Sequence, residues 1–192
     1  DIKKIIKENF EESVKTSNAS SSELLTSIQS ATQKVIKIID SGGKILSCGN
    51  GGSSGDAQHL SSELVNRFEK ERKEIAGISL NSDTAIMTAI ANDYDYKYIF
   101  AKQINALANS KDLLVAFTTS GNSENILEAI KSAKTKQVSI LLITGNNGGN
   151  ASKLLNDNDI EIRVPSNRTS RIQEIHLIII HSICECIDHH IN

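Results

Sequence analysis

Lys44-Ile45-Leu46-Ser47-Cys48-Gly49-Asn50-Gly51-Gly52-Ser53-Ser54-Gly55 is the stretch on which the reading of this chain turns. A short apolar run empties into a glycine-rich turn, and a helical pattern opens near Asp56 and continues to Phe68. In an open parallel sheet, that succession presents backbone N–H groups to an anion at a helix N-terminus. The expected tenant is phosphate. The helical segment also carries His59, Glu63 and Arg67 at i, i+4 and i+8, one stripe pointing towards the turn's ligand. On an ordinary exposed helix a His–Glu pair at this spacing is a solvated pair, and an arginine near acidic residues is an ion-pair partner. The adjoining glycine turn is what makes the stripe a candidate site, with Arg67 its least specific member.

Outward from this stretch the chain alternates. Short runs rich in Ile, Val and Leu predict strands over Lys44–Cys48, Ile75–Leu80, Leu113–Thr118, Val138–Thr144 and Ile160–Val164. Helical patterns lie between them, over Asp56–Phe68, Asp83–Ala91, Tyr96–Leu107, Glu124–Ala133 and Ala151–Leu155, and a final helix spans Ser170–His190. The alternation predicts an α/β fold, a five-stranded parallel sheet with helices on both faces. Ahead of it, Ile2, Ile5, Ile6, Phe10 and Val14 recur at helical spacing, as do Leu24, Leu25, Ile28, Val35, Ile38 and Ile39. Ser20 to Ser22 followed by Glu23 read as the start of the second of two amphipathic helices. The expected organisation is one domain, 1–192, in which 1–41 form N-terminal helices suited to a subunit interface and 42–192 form the sheet core.

Composition narrows the partners. With 21 basic against 23 acidic residues the net charge is −2, which offers a polyanion such as nucleic acid no general attraction. The most apolar run, Ile175 to Ile183, is broken by His176 and His181 and is too short for a bilayer, which needs about 20 apolar residues. No signal-peptide pattern precedes the first helix. Cys48, Cys184 and Cys186 lie in apolar segments without C-x-x-C spacing and read as buried thiols of a reducing compartment, so the expected location is cytoplasmic.

Ligands of open sheets bind beyond the carboxyl ends of the strands. A second polar turn stands at such an end: Thr118-Thr119-Ser120-Gly121-Asn122-Ser123, just before a helix whose first turn includes Glu124. Hydroxyl donors and free helix amides can coordinate a phosphate monoester without a lysine, and a neutral cradle suits a small sugar phosphate. The competing reading is that these residues only cap the helix.

Cys48-Gly49-Asn50-Gly51-Gly52-Ser53, Asn92-Asp93, Thr119-Ser120-Gly121-Asn122-Ser123 and Arg171-Ile172-Gln173-Glu174-Ile175-His176 together resemble the sugar isomerase (SIS) family, closely its phosphoheptose isomerases, over nearly the whole chain. The resemblance implies that Thr118, Thr119, Ser120 and Ser123 hold a substrate phosphate. It implies that Asn50, Gly51, Gly52, Asn92 and Asp93 contact the sugar, and Ser53, Arg67 and Gln173 join them as candidate substrate contacts. Glu63 and His181 would be the acid/base pair. Some family members bind zinc through residues matching His59, Glu63, Gln173 and His181, and the family is tetrameric, with N-terminal helices in the assembly core and sites lined by more than one subunit. The matching family position three residues before the glutamine carries Asp. Here it is Ser170, and the substitution bears on substrate contacts or metal affinity at that point of the site.

The implied reaction interconverts sedoheptulose 7-phosphate and D-glycero-D-manno-heptose 7-phosphate, a step towards nucleotide-activated heptose for surface polysaccharide. It needs one base that reaches two carbons and one donor that reaches two oxygens. Zinc would supply Lewis-acid polarisation, and the remote phosphate would hold the carbons in register. Residue chemistry alone leaves His176 and His181 open, since both share a broad face with Gln173 and a histidine there is most simply a core residue. Only the resemblance selects His181. The main rival is a non-catalytic protein of the same fold, resembling the DnaA initiator-associating factor. That group lacks the carboxylate and histidine that stand here as Glu63 and His181. A phosphosugar sensor attached to a DNA-binding module ranks last, for want of such a module or a basic patch.

Overall fold

A computed structural model describes residues 1–191. Five parallel strands, β1 (Ile45–Gly49), β2 (Gly77–Ser79), β3 (Leu113–Phe117), β4 (Ser139–Thr144) and β5 (Ile160–Arg163), form one sheet in the order β2-β1-β3-β4-β5. β1, β3 and most of β4 are buried on both faces, which is why they read as continuous apolar runs. All five expected strands are present, each trimmed by a residue or more except where β1 gains Gly49.

Helices α1 (Ile2–Glu23), α2 (Leu25–Asp40), α3 (Gly52–Val65), α4 (Thr84–Asp93), α5 (Ala101–Leu107), α6 (Glu124–Thr135), α7 (Gly149–Ser152) and α8 (Thr169–Ile191) surround the sheet. Two cores result. One sets α2, α3 and α8 against one sheet face, through Val35, Leu60, Leu64, Ile172, Ile179 and Ile183; the other sets α5 and α6 on the opposite face, through Ile104, Ile126, Ala129 and Ile130.

Four expectations are corrected. Ser20 to Ser22 do not start a helix: they lie inside α1, and their hydroxyls turn back to carbonyls one turn earlier or, for Ser20, stay buried without a partner. The break comes at Leu24, where helical bonding continues almost uninterrupted from Leu24 N to Ser20 O. The helix after β1 begins at Gly52, so most of the glycine turn is itself the first turn of α3. The Tyr96–Leu107 pattern divides into a single 3-10 turn (Tyr96–Tyr98) and α5, and α7 is one turn long, overlapping only the start of the Ala151–Leu155 pattern. Finally, Cys48 and Cys184 are buried, and burial pushes both thiols up to about 12, but Cys186 is exposed. It lines an apolar groove between α1, α2 and α8 with Leu24, Ile28 and Ile178.

Candidate active site

β1 ends at Gly49 directly beside Phe117, the end of β3. From there the chain enters α3 on one face of the sheet, whereas after β3 it enters α6 on the other. Diverging loops between adjacent parallel strands leave a crevice, the switch point at which open sheets bind ligands. A cavity of about 300 Å³ occupies it. Its walls are Asn50, Gly51, Gly52 and Ser53 from the first loop, Phe117, Thr118, Thr119, Ser120 and Ser123 from the second, and Thr169 and Gln173 from α8. None of these side chains is charged.

The backbone explains the glycines. Gly51 has φ +55° and ψ −122°, a conformation that L side chains rarely adopt. A Cβ on Gly49 would lie 2.2 Å from the Ser53 carbonyl oxygen, so α3 can start this close to β1 only without a side chain there.

Donors line the second loop. Thr118 Oγ1 accepts the Gly121 N–H at 3.1 Å and Ser120 Oγ accepts the Asn122 N–H at 3.2 Å, which leaves both hydroxyl protons for a ligand. Ser123 is the N-cap of α6 but makes no side-chain capping bond. For this residue the side-chain capping reading fails: the Ile126 N–H turns to the Ser123 carbonyl at 3.0 Å, and the N–H groups of Glu124 and Asn125 stay available to an anion. Asn50 and Asn125 exchange two amide bonds of 2.8 Å, and the Tyr96 hydroxyl donates to Asn50 Oδ1 at 3.4 Å, so Asn50 is held in one orientation.

α3 and α8 run side by side and in parallel, pairing along their lengths. Gln173 abuts Gly52, where a Cβ would come within 2.5 Å of its Nε2. Further along, His59 Nε2 lies 2.9 Å from Glu63 Oε1 and 3.4 Å from His181 Nε2, and the two rings meet edge to face with centroids 5.1 Å apart. Phe68 covers the His181 ring with its centroid at 5.5 Å. An imidazole, a carboxylate and a second imidazole therefore converge on one point, all half-buried. His176 is a different case. Its Nε2 donates to the Thr144 carbonyl at 3.0 Å, the ring is buried, and burial lowers its pKa to about 4. His176 is thus a neutral core residue. Its Nδ1 faces Asp56 Oδ2 at 3.9 Å, and burial raises Asp56 to about 6 against a smaller opposing effect of His59.

Other expected residues lie elsewhere in the subunit. Arg67 is past the end of α3, so the i+8 stripe is broken; it is exposed, pairs with Glu71 at 2.9 Å and donates to the Glu69 carbonyl. Asn92 and Asp93 close α4, exposed and bonded to each other at 2.9 Å, outside the cavity lining. Ser170 sits half-buried in the first turn of α8. Sequence reading missed Phe117 and Thr169 as walls and Asn125 and Tyr96 as supports for Asn50. Thr169 was the most findable, as a hydroxyl at a helix start facing the same strand ends. Asn125 had no signal, because its partner is 75 residues away.

Two imidazoles and a carboxylate are a donor set that suits zinc, which in catalytic sites takes three protein ligands and an open position. The structure brings His59, Glu63 and His181 together but leaves Gln173 at the Gly52 end of α8, more than two turns away. Among the described residues no group of three or more His, Cys, Asp or Glu is arranged to hold a metal ion, and His59 Nε2 is turned to Glu63 Oε1.

Comparison with known proteins agrees with the fold and the cavity. The family model for the SIS domain matches residues 9–145, and the chain belongs to the SIS domain family. Within that class it sides with the phosphoheptose isomerases. It is 51% identical over 183 residues to the phosphoheptose isomerase of Colwellia psychrerythraea, covering 95% of this chain and 93% of that protein. It is 49% identical over 183 residues to that of Alteromonas mediterranea, covering 95% and 92%. The structure of a phosphoheptose isomerase from Francisella tularensis superposes with a TM-score of 0.96 at 40% identity, covering 98% of this chain and 99% of that one. That of Neisseria gonorrhoeae superposes at 0.94 and 38% identity, covering 98% and 100%.

Proposed function

We propose that this chain is an aldose–ketose isomerase that interconverts sedoheptulose 7-phosphate and D-glycero-D-manno-heptose 7-phosphate through an enediol. One observation carries the reading: α3 and α8, the helices that wall a neutral, hydroxyl-lined cavity, also hold Glu63 and His181 around His59. The phosphate is assigned to Thr118, Thr119, Ser120, Ser123 and the first turn of α6. Asn50, Gly51, Gly52, Ser53 and Gln173 face the sugar chain. Glu63 takes a proton from C1 and returns it to C2, while His181 protonates O2 and accepts the proton of O1. The net change moves one proton between carbons and one between oxygens. Binding at the remote phosphate keeps both carbons within reach of one carboxylate.

Zinc belongs to the proposal. His59, Glu63 and His181 would hold it, with Gln173 the proposed fourth donor, and the ion would polarise the carbonyl. The assembly is proposed to be a homotetramer. Ile2, Phe10 and Val14 on α1 are 76%, 71% and 59% exposed, an apolar stripe that a soluble subunit rarely leaves uncovered. Arg67, Asn92 and Asp93, which lie off this subunit's cavity, are assigned to substrate across such an interface. No described helix is long and apolar enough to cross a membrane, and the proposed location is the cytoplasm. The pathway assigned is synthesis of nucleotide-activated heptose.

The test is incubation of the purified protein with sedoheptulose 7-phosphate in heavy water, followed by NMR, with and without a chelator. An aldose product carrying deuterium at C2 is expected. Neither product nor exchange, even with added zinc, would end the proposal.

A further inference from the structure

Arg72 and Asp188 form an ion pair sealed from water, their side chains 0% and 1% exposed, with Arg72 Nε donating to Asp188 Oδ1 at 2.7 Å. Removing two charges from water costs most of what their attraction returns, so such a pair is a poor source of stability. Its bonds supply geometry instead. The guanidinium donates from Nη2 to the Glu63 carbonyl at 2.6 Å and from Nη1 to the Leu64 carbonyl at 3.0 Å. Both lie in the last turn of α3, where a helix has no bonds of its own to offer its carbonyls. Asp188 Oδ2 accepts the N–H groups of Glu69 and Lys70, each at 2.8 Å. Burial would push this carboxyl up, but those N–H groups and Arg72 together hold it below the usual range.

The groups tied together all bear on the proposed chemistry. Glu63 is the assigned carbon base, and its own peptide is gripped. Phe68, beside Glu69 in the segment that Asp188 fastens, packs on the His181 ring. Asp188 itself follows His181 by two turns on the same face of α8. A single ion pair therefore links the end of the helix bearing Glu63, the backing of His181 and the helix bearing His181.

We propose that Arg72 and Asp188 are positioning residues for proton transfer, fixing Glu63 relative to His181 without touching substrate. The proposal rests on the assignment of those two residues as the acid/base pair. Arg72→Lys keeps a charge opposite Asp188 but loses the fork onto two carbonyls; Asp188→Asn keeps the size but loses the charge. Displacements near 1 Å cost about 10²-fold in rate, so each variant is expected to lower kcat by about 10- to 100-fold. KM for sedoheptulose 7-phosphate should stay within about twofold, because the phosphate loop belongs to β3 and α6, which the pair does not contact. Ile130→Val, in the core on the far face of the sheet, serves as the control for lost stability. The imidazole 15N signals of His181 should move in both variants and not in the control. Unchanged kcat, a parallel rise in KM, unmoved His181 signals, or an equal loss of kcat in the control would overturn the proposal. If Asp188→Asn does not fold, Arg72→Lys carries the test, and failure of both to fold would mark the pair as structural only. Wild-type protein without turnover would instead remove the isomerase reading, and the His181 signals would still judge the clamp.

Discussion

Glu63 shares His59 Nε2 with His181, and a carboxylate held 2.9 Å from one imidazole has its orientation set before any substrate arrives. As the assigned carbon base it leads to the sharpest expectation for one residue. Glu63→Gln keeps the shape and the contact with His59 but cannot take a proton, so kcat should fall by about 10³-fold or more while KM changes little. Steady-state kinetics decide this, and wild-type turnover in the variant would remove the role. Asp56 and His176 make a second residue-level case. Asp56, raised to about 6 from 3.8, contributes stability that is present at low pH and lost as pH rises to about 6. His176, lowered to about 4 from 6.5, contributes stability that is present above 6.5 and lost as pH falls to about 4. Between about pH 4 and 6 the two slopes oppose each other and nearly cancel. Asp56→Asn removes the first and leaves the second, so the variant should lose roughly 2 kcal/mol between pH 7 and 4.5. Urea unfolding at the two pH values reads the difference; equal slopes in variant and wild type would show that the groups do not titrate as the burial implies.

At the scale of elements, the two loops flanking the switch point carry different burdens. The β3–α6 loop offers hydroxyl protons and two free helix amides, so under the proposed assignment it would determine phosphate affinity. Ser120→Ala combined with Ser123→Ala should raise KM for the sugar phosphate at least about 10-fold, as expected when hydrogen bonds to a charged group are removed. An unchanged KM would place the phosphate elsewhere. The β1–α3 loop is instead a matter of close approach. Gly49→Ala sets a Cβ against the Ser53 carbonyl at 2.2 Å, and the rigid contact is backbone, so α3 must shift away from β1. A loss of about 2 kcal/mol or more in unfolding free energy is expected, since strain at a close backbone contact belongs among the large single-residue effects. An unaltered denaturation midpoint would mean that the loop yields freely.

For the whole molecule, the exposed stripe of α1 and the apolar groove between α1, α2 and α8 are features that one subunit leaves unexplained. Burying an aliphatic or aromatic side chain contributes about 1.5–3 kcal/mol, so a stripe of five supplies ample driving force for assembly. Ile6→Glu with Phe10→Glu should convert a tetramer into smaller species, read as mass by light scattering, with activity lost in step if the site draws residues from two subunits. A wild-type monomer would refute the assembly.

How much of this was legible beforehand depends on the range of the interaction. Strand periodicity, the hydroxyl turn and the helical spacing of His59 and Glu63 are local patterns, and each was found in place, while the glycine turn kept its position at the end of β1 but gave most of its residues to α3. Misreadings came where tertiary contacts overrode local preference. The serine cluster stayed inside α1, α3 began at Gly52, and Arg67 fell beyond the end of α3, whose last-turn carbonyls accept from Arg72. The sequence by itself determined an α/β sheet with donors at its carboxyl edge, because period and turn chemistry are written within a few neighbouring residues. What residue chemistry left open, only the tertiary structure decided on physical grounds: His181, the histidine that the resemblance selects, lies against His59, and His176 does not. Both histidines suit the same helix face, and the choice depends on which of them the parallel packing of α8 against α3 buries beneath the sheet.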